Sequence, residues 1–302
     1  MKIVSIGGGL GNQMFKYAFA LVLKQIHPNE KIYIDSRFCR YLGVHNGYEL
    51  NRLFNLEIKE ASFFNILFVS KRAVLSYLYF FNKKLYDMCI SYFYDHADSH
   101  YVEDYLSPSI YNKDILYSNK SIYYDIGAQV WKYYENYRVQ ISEAFRFKIS
   151  LDDRNLMIEN EILKSNSVGV HIRGGDYLSK GNNLSYNLCN VSYYQIAMNI
   201  LRDKHPKLKF FVFTNDIDYF DKIKDLIFFK EEDVIVVKNE EKDSFKDIIL
   251  MSKCQNLIIA NSSFSWWGAW LNNRTDTIVI APKNWLFNKD CFDVCPPNWL
   301  RV

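Results

Sequence analysis

Arg173 and Asp176 close the stretch Ser167 to Tyr177, SVGVHIRGGDY. Its apolar run, Val168 to Ile172, has the content of a buried β-strand and ends abruptly in Arg173-Gly174-Gly175-Asp176. A cation, two glycines and a carboxylate at a strand end suit a phosphate. Arginine offers a planar, charged fork to phosphate oxygens, and glycine lets the backbone approach a ligand closely. The same residues also fit an ordinary strand-to-loop corner with a surface arginine. Asp247, in Phe245-Lys246-Asp247-Ile248-Ile249, has two acceptor oxygens that match the adjacent N–H groups of guanine. It equally fits a first-turn acid favoured by a helix dipole. Asn261-Ser262-Ser263-Phe264-Ser265-Trp266-Trp267-Gly268 lies where a strand gives way to a helix. Ser and Asn are good N-caps there, and the same geometry aims N–H groups and hydroxyls at an anion. The tandem tryptophans read as core.

Two weaker clusters have simpler readings. Asp216 and Asp218 form a DxD pair, the pattern that holds a nucleotide diphosphate through a divalent ion in metal-dependent sugar transferases. Here the pair directly follows an apolar strand and precedes helical sequence, so N-capping is expected. His96 and His100 with Asp95 and Asp98 are too loosely spaced for a metal site, and a solvated segment is expected. No GxSxG, GxxxxGK[ST] or HExxH occurs in the chain, which removes the common hydrolase, NTPase and zinc-protease readings.

These residues need elements to hold them. Lys2 to Ile6 reads as a strand, Gly7 to Gln13 as a glycine-rich turn, Met14 to Ile26 as a helix and Lys31 to Ser36 as a second strand. Met14 stands where the dinucleotide fingerprint would have its third glycine, which weakens a coenzyme reading. From Ser167 onward, apolar strands at 167–172, 209–214, 234–238, 256–261 and 277–281 alternate with helices at 191–204, 218–228, 243–254 and 264–272. That alternation argues for a parallel sheet covered on both faces. The polar stretch Lys148 to Arg154 suits a junction, and two α/β domains are expected, residues 1–152 and 153–302, both Rossmann-like. A ligand cleft between them is the natural expectation.

Composition narrows the class further. The chain has 302 residues, 49% hydrophobic and 24% charged, enough for sizeable packed cores. Its net charge of +3 is too small for the basic stripe of a nucleic-acid binder. Six scattered cysteines without CxxC spacing point to a reducing compartment. The N-terminus reads as strand, turn and helix with no signal peptide. Ser62 to Phe81, SFFNILFVSKRAVLSYLYFF, is the best candidate for a membrane segment. Lys71-Arg72 lies at its centre, where each charge costs ~2.5–3.5 kcal/mol in a bilayer. A buried or membrane-touching aromatic face fits it better than a span.

The motifs together resemble a family. Gly8-Gly9-Leu10-Gly11-Asn12-Gln13-Met14-Phe15, VGVHIRGGDY at 168–177, DIILMSKC at 247–254, IIANSSFSWWGAWLN at 258–272 and IAPKNW at 280–285 resemble, in order, the α-1,2-fucosyltransferases of glycosyltransferase family 11. The resemblance implies a GT-B-like architecture, two Rossmann-like domains facing a cleft, with the donor GDP-L-fucose held by the C-terminal one. The implied reaction moves L-fucose, with inversion, to the 2-hydroxyl of a galactose-terminated glycan, without a metal or other cofactor. Arg173 would grip the β-phosphate. His171 and Asp247 would lie at the guanine, and Ser262, Ser263 and Phe264 would line the phosphate and base. Gly11 and Asn12 would face the reacting sugar from an N-terminal loop. Asp176 is the nearest carboxylate that could serve as base. Animal members carry an N-terminal anchor. This chain starts on its first strand, so a cytoplasmic enzyme is expected, with peripheral membrane contact through residues 62–81.

The chain departs from the family pattern at three places. Gly174 replaces the second arginine of HxRRxD, Ile126-Gly127-Ala128-Gln129 replaces GYWQ, and Thr214-Asn215-Asp216 replaces SDD. Two alternatives stay open: a transferase of the same fold with another GDP-sugar or linkage, and a non-catalytic protein that binds a nucleotide sugar or glycan.

Overall fold

Short apolar strands followed by amphipathic or wholly apolar helices give the chain two α/β units, Met1–Lys148 and Ile149–Val302. The computed structural model describes residues 1–302 except 43–44, 76, 96–99, 104–109, 175–188, 287–288 and 291. The division falls inside the polar Lys148 to Arg154 stretch. Lys148 belongs to the first unit, where its N–H donates to the Leu53 carbonyl at 3.0 Å. Asp152 belongs to the second, where its side chain caps a helix.

In the first unit, β1 (Lys2–Ser5), β2 (Ile32–Asp35), β3 (Tyr101–Glu103) and β4 (Ile122–Asp125) form a parallel sheet in the order β2-β1-β4-β3. The central strand β1 is fully buried, Lys2 included; the Lys2 ammonium reaches Glu30 at 2.9 Å. The first helix, α1 (Leu10–Ile26), is buried over most of its surface. It starts four residues earlier than the expected Met14, so Gly11 and Asn12 stand in its first turn and not in a loop. The reversal of direction is made upstream, at Gly8, whose φ of +81° suits glycine. Gly11 and Asn12 are poor helix formers, and the burial of α1 outweighs that local preference.

Between β2 and β3 lie α2 (Arg37–Leu42), α3 (Leu50–Leu53), α4 (Phe63–Val69), α5 (Lys71–Leu75), α6 (Leu78–Phe81) and α7 (Lys83–Asp95); α8 (Lys113–Tyr117) precedes β4 and α9 (Arg138–Ala144) follows it. The apolar stretch 62–81 is thus broken into three short helices. Ser62 starts α4 with a capping box to Asn65. Ile66, Val69, Ala73 and Tyr77 pack on Ile3 and Tyr123 of the sheet. Among the described residues, no helix is long and apolar enough to cross a membrane.

In the second unit, β5 (Asn166–Ile172), β6 (Leu208–Thr214), β7 (Asp233–Val237), β8 (Asn256–Ile258), β9 (Val279–Ala281) and β12 (Leu300–Arg301) form a parallel sheet, and β10 (Asn284–Leu286) pairs with β11 (Lys289–Asp290) in a hairpin. The helices are α10 (Asp153–Lys164), α11 (Val191–Lys204), α12 (Ile217–Ile227), α13 (Phe245–Met251) and α14 (Ser263–Trp270). The sheet order is β12-β9-β8-β5-β6-β7. The chain builds outward from β5 in one direction, then returns to build outward in the other. Ligands of open α/β sheets bind past the carboxyl ends of the strands at such a switch point. Several elements are shorter than expected, the strand expected at 277–281 narrowing to β9. The expected strand 256–261 narrows to β8, and the helix expected from 243 begins at Phe245 after a 3₁₀ turn at Glu241–Asp243.

Candidate active site

The last residues of β5 lie at that switch point. His171 pairs with Phe213 and Ile172 with Thr214 of β6, and Arg173 is the first residue beyond the strand. Tyr194 of α11 donates its hydroxyl to the His171 carbonyl at 3.1 Å, fixing the strand end from below. The His171 ring is buried, and it lies 6.0 Å from the Phe264 ring at an angle of 35°. Burial and the nearby Arg173 charge push the His171 pKa down to about 3, so the imidazole is neutral near pH 7. Its Nδ1 has no hydrogen-bond partner among the described residues. The structure therefore brings His171, Arg173 and Phe264 together, a cation beside an uncharged polar ring and an aromatic. A charged ring there would repel the Arg173 guanidinium, which is why that charge pushes the pKa down.

Gly174 follows directly. Its N–H donates to Asn215 Oδ1 at 3.1 Å, and a Cβ placed on it would stand 2.8 Å from both Cβ and Oδ2 of Asp216. Restoring the family's arginine at 174 therefore requires the backbone or Asp216 to move. Asp216 is the N-cap of α12, where its carboxylate accepts from the Tyr219 N–H at 2.9 Å. The capping role expected for the DxD segment is the one observed. Asp176 lies outside the described residues.

The second expected feature, the start of α14, differs from the capping expectation. Ser262 occupies the N-cap position, but no side chain caps the helix. Asn261 instead donates to the Trp285 carbonyl at 3.0 Å. Ser262 is buried and Ser263 half-buried. The tandem tryptophans are core: Trp266 and Trp267 are fully buried, and the Trp266 indole donates to the Val294 carbonyl at 2.9 Å.

Asp247 sits in the first turn of α13, which packs against α14. A Cβ on Gly268 of α14 would lie 2.8 Å from the Met251 Cβ, so a glycine is what lets the two helices approach. Burial raises the Asp247 pKa to about 7, and a hydrogen bond from Asn239 works against that rise. The bond runs from Asn239 Nδ2 to Asp247 Oδ1 at 2.7 Å. Asn239 and its partner Asn155 gave no signal in the sequence, since a lone asparagine in a polar turn or in the first turn of a helix is ordinary.

In the first unit, Asn12 accepts from Gln129 Nε2 at 2.9 Å, which joins the glycine turn to the segment Gly127-Ala128-Gln129 beyond β4. Ala128 takes φ +55°, held by the Tyr134 hydroxyl on its carbonyl. Gln13, fully buried, donates to the Gly8 and Gly47 carbonyls, each at 2.8 Å, and accepts from the Glu49 N–H at 3.0 Å. It latches the turn from inside. Sequence reasoning singled out Gly11 and Asn12 and passed over Gln13, because a polar residue after a glycine turn reads as exposed.

Two α/β units, each built on a parallel sheet, with an arginine at the switch point of the second sheet, make a GT-B-like fold. The chain belongs to glycosyl transferase family 11, whose model matches residues 1–301. The alpha-1,2-colitosyltransferase of Escherichia coli is 32% identical over 310 residues, 99% of this chain and 98% of that protein. Galactoside alpha-(1,2)-fucosyltransferase 1 of Aotus azarae is 27% identical over 165 residues, 50% of this chain and 43% of that protein. Among solved structures, NodZ alpha-1,6-fucosyltransferase soaked with GDP-fucose superimposes with a TM-score of 0.53 at 15% identity, covering 89% of this chain and 91% of that one. At that identity the likeness is one of fold.

Proposed function

We propose that this glycosyltransferase moves L-fucose from GDP-L-fucose to the 2-hydroxyl of a galactose-terminated glycan, with inversion and without a metal ion. The observation that carries the reading is the cluster of Arg173, neutral His171 and Phe264 at the carboxyl end of β5. Breaking the fucosyl–phosphate bond leaves negative charge on GDP. Arg173 and the uncapped start of α14, at Ser262 and Ser263, supply fixed positive potential where that charge develops. They take the part a divalent ion plays elsewhere. Asp247 pairs with guanine through its carboxylate, with His171 and Phe264 alongside, and Gly11 and Asn12 face the reacting sugar. The measurement is an acceptor panel with GDP-L-fucose and linkage analysis of the product, run with and without EDTA. Product with a linkage other than α-1,2, or loss of turnover in EDTA, would refute the corresponding part.

Asp176 is the nearest carboxylate in the motif for taking the proton of the acceptor hydroxyl. Full rate in both Asp176→Asn and Asp176→Ala removes it from that role.

A second donor is favoured by one specific observation, the whole-length similarity to an alpha-1,2-colitosyltransferase. Colitose is L-fucose without its 3-hydroxyl, so the two donors share GDP, the leaving-group chemistry and the linkage. Competing GDP-L-fucose against GDP-colitose decides between them.

The membrane contact has a structural candidate in α4 to α7. Phe64, Phe68 and Phe81 are 77%, 76% and 78% exposed, the first two on α4, whose Ile66 and Val69 are buried. Exposed Lys71, Lys83 and Lys84 lie in the same run of sequence. Aromatic side chains beside lysines fit an anionic lipid surface. Co-sedimentation with vesicles containing phosphatidylglycerol is expected, and it falls with salt. Equal partitioning of the wild type and a Phe64→Ser, Phe68→Ser double variant removes the contact.

A further inference from the structure

Asn239 lies in the turn between β7 and the 3₁₀ turn at Glu241–Asp243. Its Nδ2 donates to Asp247 Oδ1 at 2.7 Å and to Asn155 Oδ1 at 3.1 Å. Asn155, on α10 and 2% exposed, returns a bond from its Nδ2 to Asn239 Oδ1 at 3.0 Å. The two amides thus form a closed reciprocal pair. Asn155 is anchored at its other side. Its backbone N–H donates to Asp152 Oδ1 at 2.9 Å, and its Nδ2 reaches the two Asp152 oxygens at 3.0 and 3.1 Å. Asp152 is held in turn by the Lys246 ammonium at 2.7 Å.

Each end of this chain is a carboxylate, which only accepts hydrogen bonds when ionised. The direction of every amide in between follows. Asn155 must turn its NH₂ toward Asp152, its oxygen therefore meets the NH₂ of Asn239, and the remaining N–H of Asn239 is delivered to Asp247. We propose that Asn239 is a positioning residue for nucleotide recognition: paired with Asn155, it fixes the plane of the Asp247 carboxylate so that this carboxylate reads guanine. The inference rests on the reading of Asp247 as the guanine-pairing carboxylate.

The physical gain is preorganisation. A carboxylate free to rotate must be ordered when the base arrives, whereas one already held loses little. The bond also favours the ionised form, against the burial that raises its pKa. The charged groups nearby are otherwise engaged. Lys246, the preceding residue, is bound to Asp152 and, at 3.2 Å, to Asp243, while Lys242 pairs with Glu240 at 2.8 Å. Asn239 thus does what a neighbouring cation would do elsewhere, with directional control.

The test uses the full-length enzyme and three variants, Asp247→Asn, Asn239→Ala and Asn155→Ser. The readouts are donor KM and kcat, their pH profiles, and competition by GDP against IDP, which lacks the 2-amino group of guanine. In Asn239→Ala, donor KM is expected to rise roughly tenfold, the scale of one hydrogen bond to a charged group, with kcat changed less than twofold. The preference for GDP over IDP should shrink, and the pH at which donor KM improves should move upward. Asn155→Ser should shift the same readouts in the same direction by less, and it serves if Asn239→Ala does not fold. A merely structural role for Asn239 lowers the melting temperature and leaves the GDP/IDP ratio and the pH profile as they are; that result overturns the proposal. If Asp247→Asn itself keeps wild-type GDP affinity and GDP/IDP preference, the guanine reading of Asp247 is what fails.

Discussion

At the residue scale, the proposed chemistry rests on Arg173. It lies one residue past a fully buried strand segment, outside the packed core, so its removal should not unfold the domain. Arg173→Ala is expected to keep its melting temperature within a few degrees and to lose most turnover. One charge-assisted contact to phosphate contributes roughly 1.5–3 kcal/mol, and more where it strengthens only as charge develops. Near-normal transfer by that variant would sink the diphosphate role. Two shifted groups of the proposed site, Asp247 and His171, work in opposite senses. Asp247, with a pKa of about 7, binds more protons in the folded than in the unfolded protein between pH 4 and 7. It therefore lowers the stability of the free enzyme as pH rises through that window. If the ionised form pairs with guanine, donor KM should worsen as pH falls below about 7, and Asp247→Asn should lose that pH dependence. His171, at about 3, binds fewer protons folded than unfolded. Its contribution is complete above the ordinary histidine range and is lost as pH falls from there toward 3. Acid melts of wild type against His171→Asn should show the variant less acid-sensitive.

At the element scale, placement depends on how closely neighbours can approach. Gly268 of α14 faces Met251 of α13 so tightly that a Cβ would stand 2.8 Å from another Cβ, an atom with no freedom to swing away. Gly268→Ala should cost ~1–3 kcal/mol by overpacking. Because the displaced helix carries Asp247, the same variant should raise donor KM more than it lowers kcat. Unchanged donor KM in a destabilised protein would show that α13 can shift without moving its carboxylate. The latch of the first unit follows the same logic. Gln13 holds two carbonyls of the turn and the buried Glu49 N–H; leaving that buried N–H unpaired costs roughly 1–3 kcal/mol. It is a fold residue inside a motif that looks like a ligand loop.

At the scale of the whole molecule, GDP should act as a folding ligand for the second unit. At a concentration a hundred times its Kd, a ligand that binds only the folded state adds about 2.7 kcal/mol. Thermal melts with GDP should therefore rise by several degrees, and melts with ADP much less, because adenine does not offer Asp247 adjacent N–H donors. Equal stabilisation by the two nucleotides would remove the purine-reading role of Asp247. The family motifs fall in both units: the glycine turn and Gln129 in the first, His171, Arg173, Asp247 and the α14 start in the second.

Much of this was legible in the sequence by itself. Apolar strands alternating with helices determined a parallel sheet, because both faces of its strands must be covered. The abrupt end of such a strand in Arg173-Gly174-Gly175 determined where a ligand corner could lie. The ordered motifs determined the family. What only the tertiary structure decided rests on contacts between residues far apart in the chain. Helix α1 starts at Leu10 because Gly8 makes the turn, which local pattern does not reveal. His171 is neutral because strands, Phe264 and Arg173 surround it. Asn239 and Asn155 meet across 84 residues of sequence. Periodicity encodes which face of an element is buried. Which polar groups then meet is set by packing, and that is where the pKa of Asp247 and the direction of its hydrogen bond are determined.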